Sequence, residues 1–191
     1  MRSLWFFSIA ISGSLLGGCS DDDPVSYSQP VGIELKAEHD KVINGTLSEE
    51  KSITTESGNP YGAFVSGAQD ALGGFDPGDI DVDEVSVALG AGSDGVVGLG
   101  EVFDGTFEVL FLMNDTDDTF DVASGDIEGD DDGGPKDLFV HFDSAEVSDE
   151  NYEKLLSGSF KVVYRCPAQP SFDGSGAKAD LQVTLTFTAY E

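Results

Sequence analysis

The chain has 191 residues, 37 of them Asp or Glu against nine Lys or Arg, a formal net charge of −28. So acidic a chain excludes binding along nucleic-acid backbones, which needs a basic face, and anionic lipid headgroups repel it. It stays soluble at some cost in self-repulsion, a balance that suits the exported proteins of a salt-adapted bacterium.

Arg2 precedes an apolar stretch, residues 4–16, interrupted only by small residues. This is the order of a secretory signal, and the stretch is too short for a membrane-spanning helix. Leu16, Gly17, Gly18 and Cys19 follow. The four resemble the lipobox of bacterial lipoproteins. The resemblance implies diacylglycerol on Cys19, cleavage before it and acylation of the new amino group, including a palmitate-type chain. Several acyl chains give stable anchoring, each buried methylene adding about 0.8 kcal/mol. By the same resemblance, Ser20 after the cysteine favours the outer over the inner membrane of a Gram-negative envelope. Loss of residues 1–18 leaves eight basic against 37 acidic residues, −29 by formal count.

Residues 19–30 read as the lipidated cysteine and a linker, its Asp run and prolines disfavouring regular structure. Residues 31–191 are then a single domain, long enough for a full hydrophobic core. The segment 31–38 alternates apolar and polar residues, a half-buried strand. A weaker strand is expected within 42–53. In residues 59–73, Asn59 is placed to cap a helix and Pro60 to open it. Tyr61, Phe64, Ala68 and Leu72 share one face, and Gly73 ends it. Residues 76–84 read as an acidic turn leading into a strand at 85–89. Gly90, Gly92 and Gly95 match a dinucleotide fingerprint in spacing, but Gly98 and Gly100 deny the helix it needs, so a glycine-rich hairpin is expected.

Further strands are expected at 106–113, 138–142, 159–165 and 179–191, with weaker ones within 96–103 and 119–122. A second helix should start at a Ser148 cap, with Tyr152, Leu155 and Leu156 on its apolar face. The pattern predicts an all-β fold: an antiparallel β-sandwich, Ig-like or jelly-roll-like, with two short crossover helices. Residues 105–111 and 158–164 look alike, but no longer repeat supports a duplication. Apart from Cys19 the only cysteine is Cys166, which shares a strand face with Phe160, Val162 and Tyr164 and reads as a buried thiol.

The acidic run 126–137 is a candidate calcium loop, since calcium takes several hard oxygen ligands on a glycine-containing turn. Asp126, Glu128, Asp130, Asp132 and Asp137 are its candidate ligands, with residues 114–118 as a second contributor. The spacing satisfies only one half of an EF-hand at a time, so a solvated acidic tip competes with this reading. His39 reads as exposed at a strand end, and His141 as part of a strand; neither has a partner at metal-ligand spacing. No GxSxG or HExxH motif occurs, and the abundance of acids prevents the choice of any one catalytic pair. No catalytic residue is assigned. Asn44 and Asn114 match the glycosylation sequon by coincidence in a bacterial chain.

The mature domain resembles acidic, β-rich bacterial lipoproteins. The expectation is a lipid-anchored envelope protein whose body stands off the membrane, touching it through the anchor only: a non-catalytic binding or structural module stabilised by calcium if the acidic loop is a site, with a protein or glycan partner and no nucleic acid. The alternatives are a carboxylate-based hydrolase of polysaccharide and an envelope assembly subunit. The single Trp lies in the leader, which disfavours a sugar platform.

Overall fold

The computed structural model describes residues 25–116 and 118–191. The chain is all-β and antiparallel with two short helices. Its strands are β1 (Ser26–Glu38), β2 (Thr46–Ser52), β3 (Asp79–Leu89), β4 (Gly105–Met113), β5 (Thr119–Ile127), β6 (Lys136–Val140), β7 (Phe160–Pro167) and β8 (Lys178–Tyr190). The helices are α1 (Pro60–Ala71) and α2 (Asp149–Ser157).

All eight strands belong to one sheet in the order β1-β8-β3-β6-β5-β4-β7-β2. The two layers expected of a sandwich are therefore two halves of a single sheet rolled until it nearly closes. Short β6 is the fold line. It pairs with β3 through Val85–Val87 and with β5 only through Ala123 and Ser124. The edge strands β1 and β2 meet on the other side, where side chains replace a ladder. The Lys36 amide donates to Glu49 Oε2 (3.0 Å), and the Tyr164 hydroxyl donates to the Lys36 carbonyl (2.7 Å).

β1 begins at Ser26, so residues 26–30 belong to the sheet and the expected linker is shorter. Pro30 is tolerated because its missing amide would face the free edge: Lys36, six residues on, directs its own N–H and C=O away from β8, and strand alternation gives Pro30 the same orientation. Tyr27 anchors the segment by stacking on Phe64 of α1 at 6.1 Å. β3 likewise starts at Asp79, within the stretch read as a turn.

Residues 96–103 are not a strand; a 3-10 turn occupies Leu99–Glu101. The glycines decide this. A Cβ at Gly98 would stand 2.6 Å from the Asp131 carbonyl oxygen, and one at Gly100 would stand 2.1 Å from that of Glu128. Only bare backbone lets the two loops approach so closely.

Both helices form where their caps dictate. The Asn59 side chain accepts from the Tyr61 amide at 3.0 Å with Pro60 at the first position, and Ser148 caps α2 through Asn151. Tyr61, Phe64 and Ala68 of α1 are buried. Tyr61 packs edge-on against Phe160 and Phe187, while Phe111 of β4 stacks over Phe187 of β8 across the core. A second aromatic group, Phe103, Phe107 and Tyr164, fills the other end.

The register sorts the molecule into two ends. Ser26, Asp79 and Tyr190 lie together at one, as do the start of β7 and the end of β4. Both helices are on the connections that cross this end. The connections 39–45, 90–104, 128–135 and 168–177 lie at the other.

Candidate binding surface

The loop end is a set of connections locked to one another through their backbones. Leu99 and Gly100 donate their amides to the Asp132 and Asp131 carbonyls, both at 3.1 Å. The Gln169 amide donates to the Val102 carbonyl at 2.8 Å, and its Nε2 to that of Gly100 at 3.2 Å. Asp94 and Lys178 form an antiparallel bridge, and Ser93 Oγ accepts from the Asp180 amide at 3.1 Å. The glycine-rich run is thus a loop, followed only by the three-residue 3-10 turn Leu99–Glu101, too short to receive a pyrophosphate. Val97 projects from this end 81% exposed, its amide held by Glu101 Oε2 at 2.7 Å. A preformed surface of this kind binds with little loss of loop entropy.

The five expected calcium ligands do not converge. Asp126 lies within β5, where its carboxylate accepts from Thr106 Oγ1 at 2.7 Å. Glu128 and Asp130 are exposed. Asp132 closes a local turn by accepting from the Gly134 amide at 2.8 Å. Asp137 is on β6, opposite Ser86. Of the second contributor, residues 114–116 and 118 lie at the opposite end of β5, nine residues away, a span of about 25–30 Å; residue 117 lies outside the described residues. Asp118 instead holds α2: Asn151 Nδ2 donates to its Oδ2 at 2.8 Å. Among the described residues no group of three or more His, Cys, Asp or Glu side chains is arranged to hold a metal ion.

The carboxylate that organises the loop is Asp131, which the even-numbered spacing passes over. It accepts from the Glu128 amide and from Lys136 Nζ. The Lys136 hydrogen bond and then that amide hold its carboxyl below the usual carboxylate range. The available signal was Lys136, the only cation between Lys51 and Lys154.

Each histidine departs from its expectation in one respect. His39 follows the end of β1, as expected, but is half-buried in a 3-10 turn, and among the described residues its buried Nδ1 has no hydrogen-bond partner. His141 lies just beyond β6, and its Nε2 is 2.7 Å from Ser124 Oγ. The register explains this pair: Ser124 is opposite Phe139, and His141 is its diagonal neighbour on the same face. The pair borders a groove of about 380 Å³ with an apolar floor of Leu110, Ala123 and Phe142 and with Glu108, Asp121, Asp143 and Glu146 on its walls. Among the described residues no carboxylate hydrogen-bonds the second ring nitrogen. A larger groove of about 760 Å³ runs between α1 and α2, over Val65 and Leu156.

Cys166 is buried, as its strand face implies, with Sγ 3.7 Å from the Gly105 carbonyl oxygen. Burial pushes its thiol up to about 12, and Glu108 and Asp104 add to the effect. Such a thiol is inert.

Cys19 and the leader lie outside the described residues. Among those described, no helix is long and apolar enough to cross a membrane. Comparison with protein-family models, with curated proteins and with solved structures finds no match to this chain.

Proposed function

We infer that this is a lipid-anchored envelope protein of a Gram-negative bacterium whose domain is a non-catalytic binding or structural module that presents its locked loop end away from the bilayer. The observation that carries the reading is the position of the lipobox-like cysteine relative to the fold. Only Ser20 to Val25 separate Cys19 from the start of β1, a reach of at most about 25 Å. The strand so tethered enters at the helix end, which leaves the loops 90–104, 128–135 and 168–177 farthest from the anchor. Rigid loops on a β-scaffold are a usual place for recognition. The outer membrane is the favoured location, with a protein or glycan as the partner.

The test is expression of the full chain in a Gram-negative host fed labelled palmitate. The wild type takes up label and stays with membranes through a high-salt wash. Cys19→Ser is unlabelled and is released as soluble protein. A wild-type chain that takes up no label, or that washes free, overturns the reading.

A further inference from the structure

The end of the barrel at which the chain enters carries a side chain that the core does not account for. Phe75, between α1 and β3, is 75% exposed. Gly73 and Gly74, both at positive φ (75° and 92°), turn the backbone outward just before it. The course of α1 fixes where it stands. Its first turn borders Val31 to Glu34, and its Gly67 packs against the Tyr27 ring. The helix therefore runs antiparallel to β1, and the residues after its C-terminus emerge at the level of Val25. The Gly78 amide donates to the Tyr190 carbonyl (2.8 Å), and the Glu191 amide to that of Val25 (3.2 Å). Phe75 and Val25, itself 47% exposed, thus lie at the same end of the sheet, the end at which the tether enters.

We propose that this end makes a membrane contact, in which Phe75, assisted by Val25, enters the headgroup region beside the lipid anchor. The proposal rests on the reading of Cys19 as lipidated. Chain length supplies the argument for the occupant: a spacer of six residues holds this end, and no other, within about 25 Å of the acyl chains. A tether converts contact into an intramolecular event, so one aromatic ring suffices where free protein would not bind. Side chains that enter this zone sink about 5–10 Å to the boundary of headgroups and acyl chains. The carboxylates Asp76, next to Phe75 in sequence, and Asp79 and Glu191, at this end of the sheet, are exposed, so zwitterionic lipid is favoured over anionic lipid. The contact fixes the tilt of the domain and keeps its loops directed outward.

The leader holds the only tryptophan, Trp5, so the processed chain has no indole emission and a single introduced indole, excited selectively, reports its own position. The test uses the full lipidated chain with Phe75→Trp in phosphatidylcholine vesicles containing lipids brominated high on the acyl chain. Val97→Trp, at the loop end, is the comparison; both positions are exposed and neither change disturbs packing. The expected result is a blue shift and loss of emission for the residue 75 indole, with an unshifted, unquenched indole at residue 97. An unquenched residue 75 indole on protein that sediments with the vesicles overturns the membrane contact while leaving the anchor intact. Protein that retains Trp5 emission in the unsubstituted chain, or that fails to sediment, shows instead that the anchor reading has failed and the contact with it.

Discussion

Tyr164 shows how one residue closes a barrel that lacks its last ladder. Its ring packs against both Phe103 and Phe107, and its hydroxyl crosses to the carbonyl of Lys36 on the facing edge. Tyr164→Phe keeps the packing and removes only that bond. The expected loss is about 1 kcal/mol in urea unfolding, with unchanged far-ultraviolet dichroism. Two residues along the same face, Cys166 gives a second test. Its thiol is buried and stays protonated at any ordinary pH, so iodoacetamide at pH 8 should leave the native protein unmodified. In urea the same reagent should alkylate it quickly, because the exposed thiol returns to the ordinary cysteine range. Rapid labelling without denaturant would mean that this strand opens locally.

Individual elements were legible wherever local chemistry settled them. α1 was readable from Asn59, Pro60 and Gly73, and β8 from an alternation that no other pattern disturbs. The closure of the sheet was not readable, because it depends on β6 pairing briefly with both β3 and β5. Nor was the Ser124–His141 pair, which exists only in that register. At the loop end the alternation of acids pointed to Asp130 and Asp132, while the fold uses Asp131, whose role follows from a carboxylate turned back onto its own loop. The glycines there were read as breakers of structure, and their actual role is close approach. That role predicts a measurable cost. A Cβ at Gly100 meets the Glu128 carbonyl oxygen at 2.1 Å and the Gly129 backbone at 2.6 Å, and neither can yield without moving the acidic loop. Gly100→Ala should cost about 2–3 kcal/mol. Gly174→Ala, where nothing lies within 4 Å but φ is 71°, should cost only about 1 kcal/mol, from backbone strain alone. Equal costs at the two positions, measured by urea unfolding, would refute the interlocking.

The whole molecule answers to pH and salt through groups spread over both ends. Burial raises the hydroxyls of Tyr61 and Tyr164 far above the ordinary tyrosine range and that of Tyr152 to about 12, while Cys166 rises as described. Each folded group keeps its proton at a pH where the unfolded chain has lost it. Stability is therefore full below about pH 9 and falls as pH rises beyond it. An ultraviolet titration should show these tyrosines ionising together with loss of native dichroism, whereas independent ionisation within an intact fold would contradict their burial.

Acidity sets the second response, and it separates a diffuse field from a site. Six of the eight described cations are ion-paired; Lys36 and Lys51 are the other two, and most carboxylates face water unpaired. Screening of their mutual repulsion should raise the melting midpoint with sodium chloride, each kcal/mol regained moving it by about 2–4 °C in a domain of this size. Calcium at matched ionic strength should add nothing further, because the acidic loop spends Asp131 on Lys136 and Asp132 on its own turn. A true site at a hundred times its dissociation constant would add about 2.7 kcal/mol, a shift that screening at constant ionic strength cannot imitate. Melts in EDTA, calcium, magnesium and sodium chloride therefore decide the matter. Coincident midpoints mean that the carboxylates act only as a field that holds the protein in solution and selects a basic partner. A calcium-specific rise would mean that Glu128, Asp130 and Asp132 rearrange around an ion, and that recognition at the loop end depends on it.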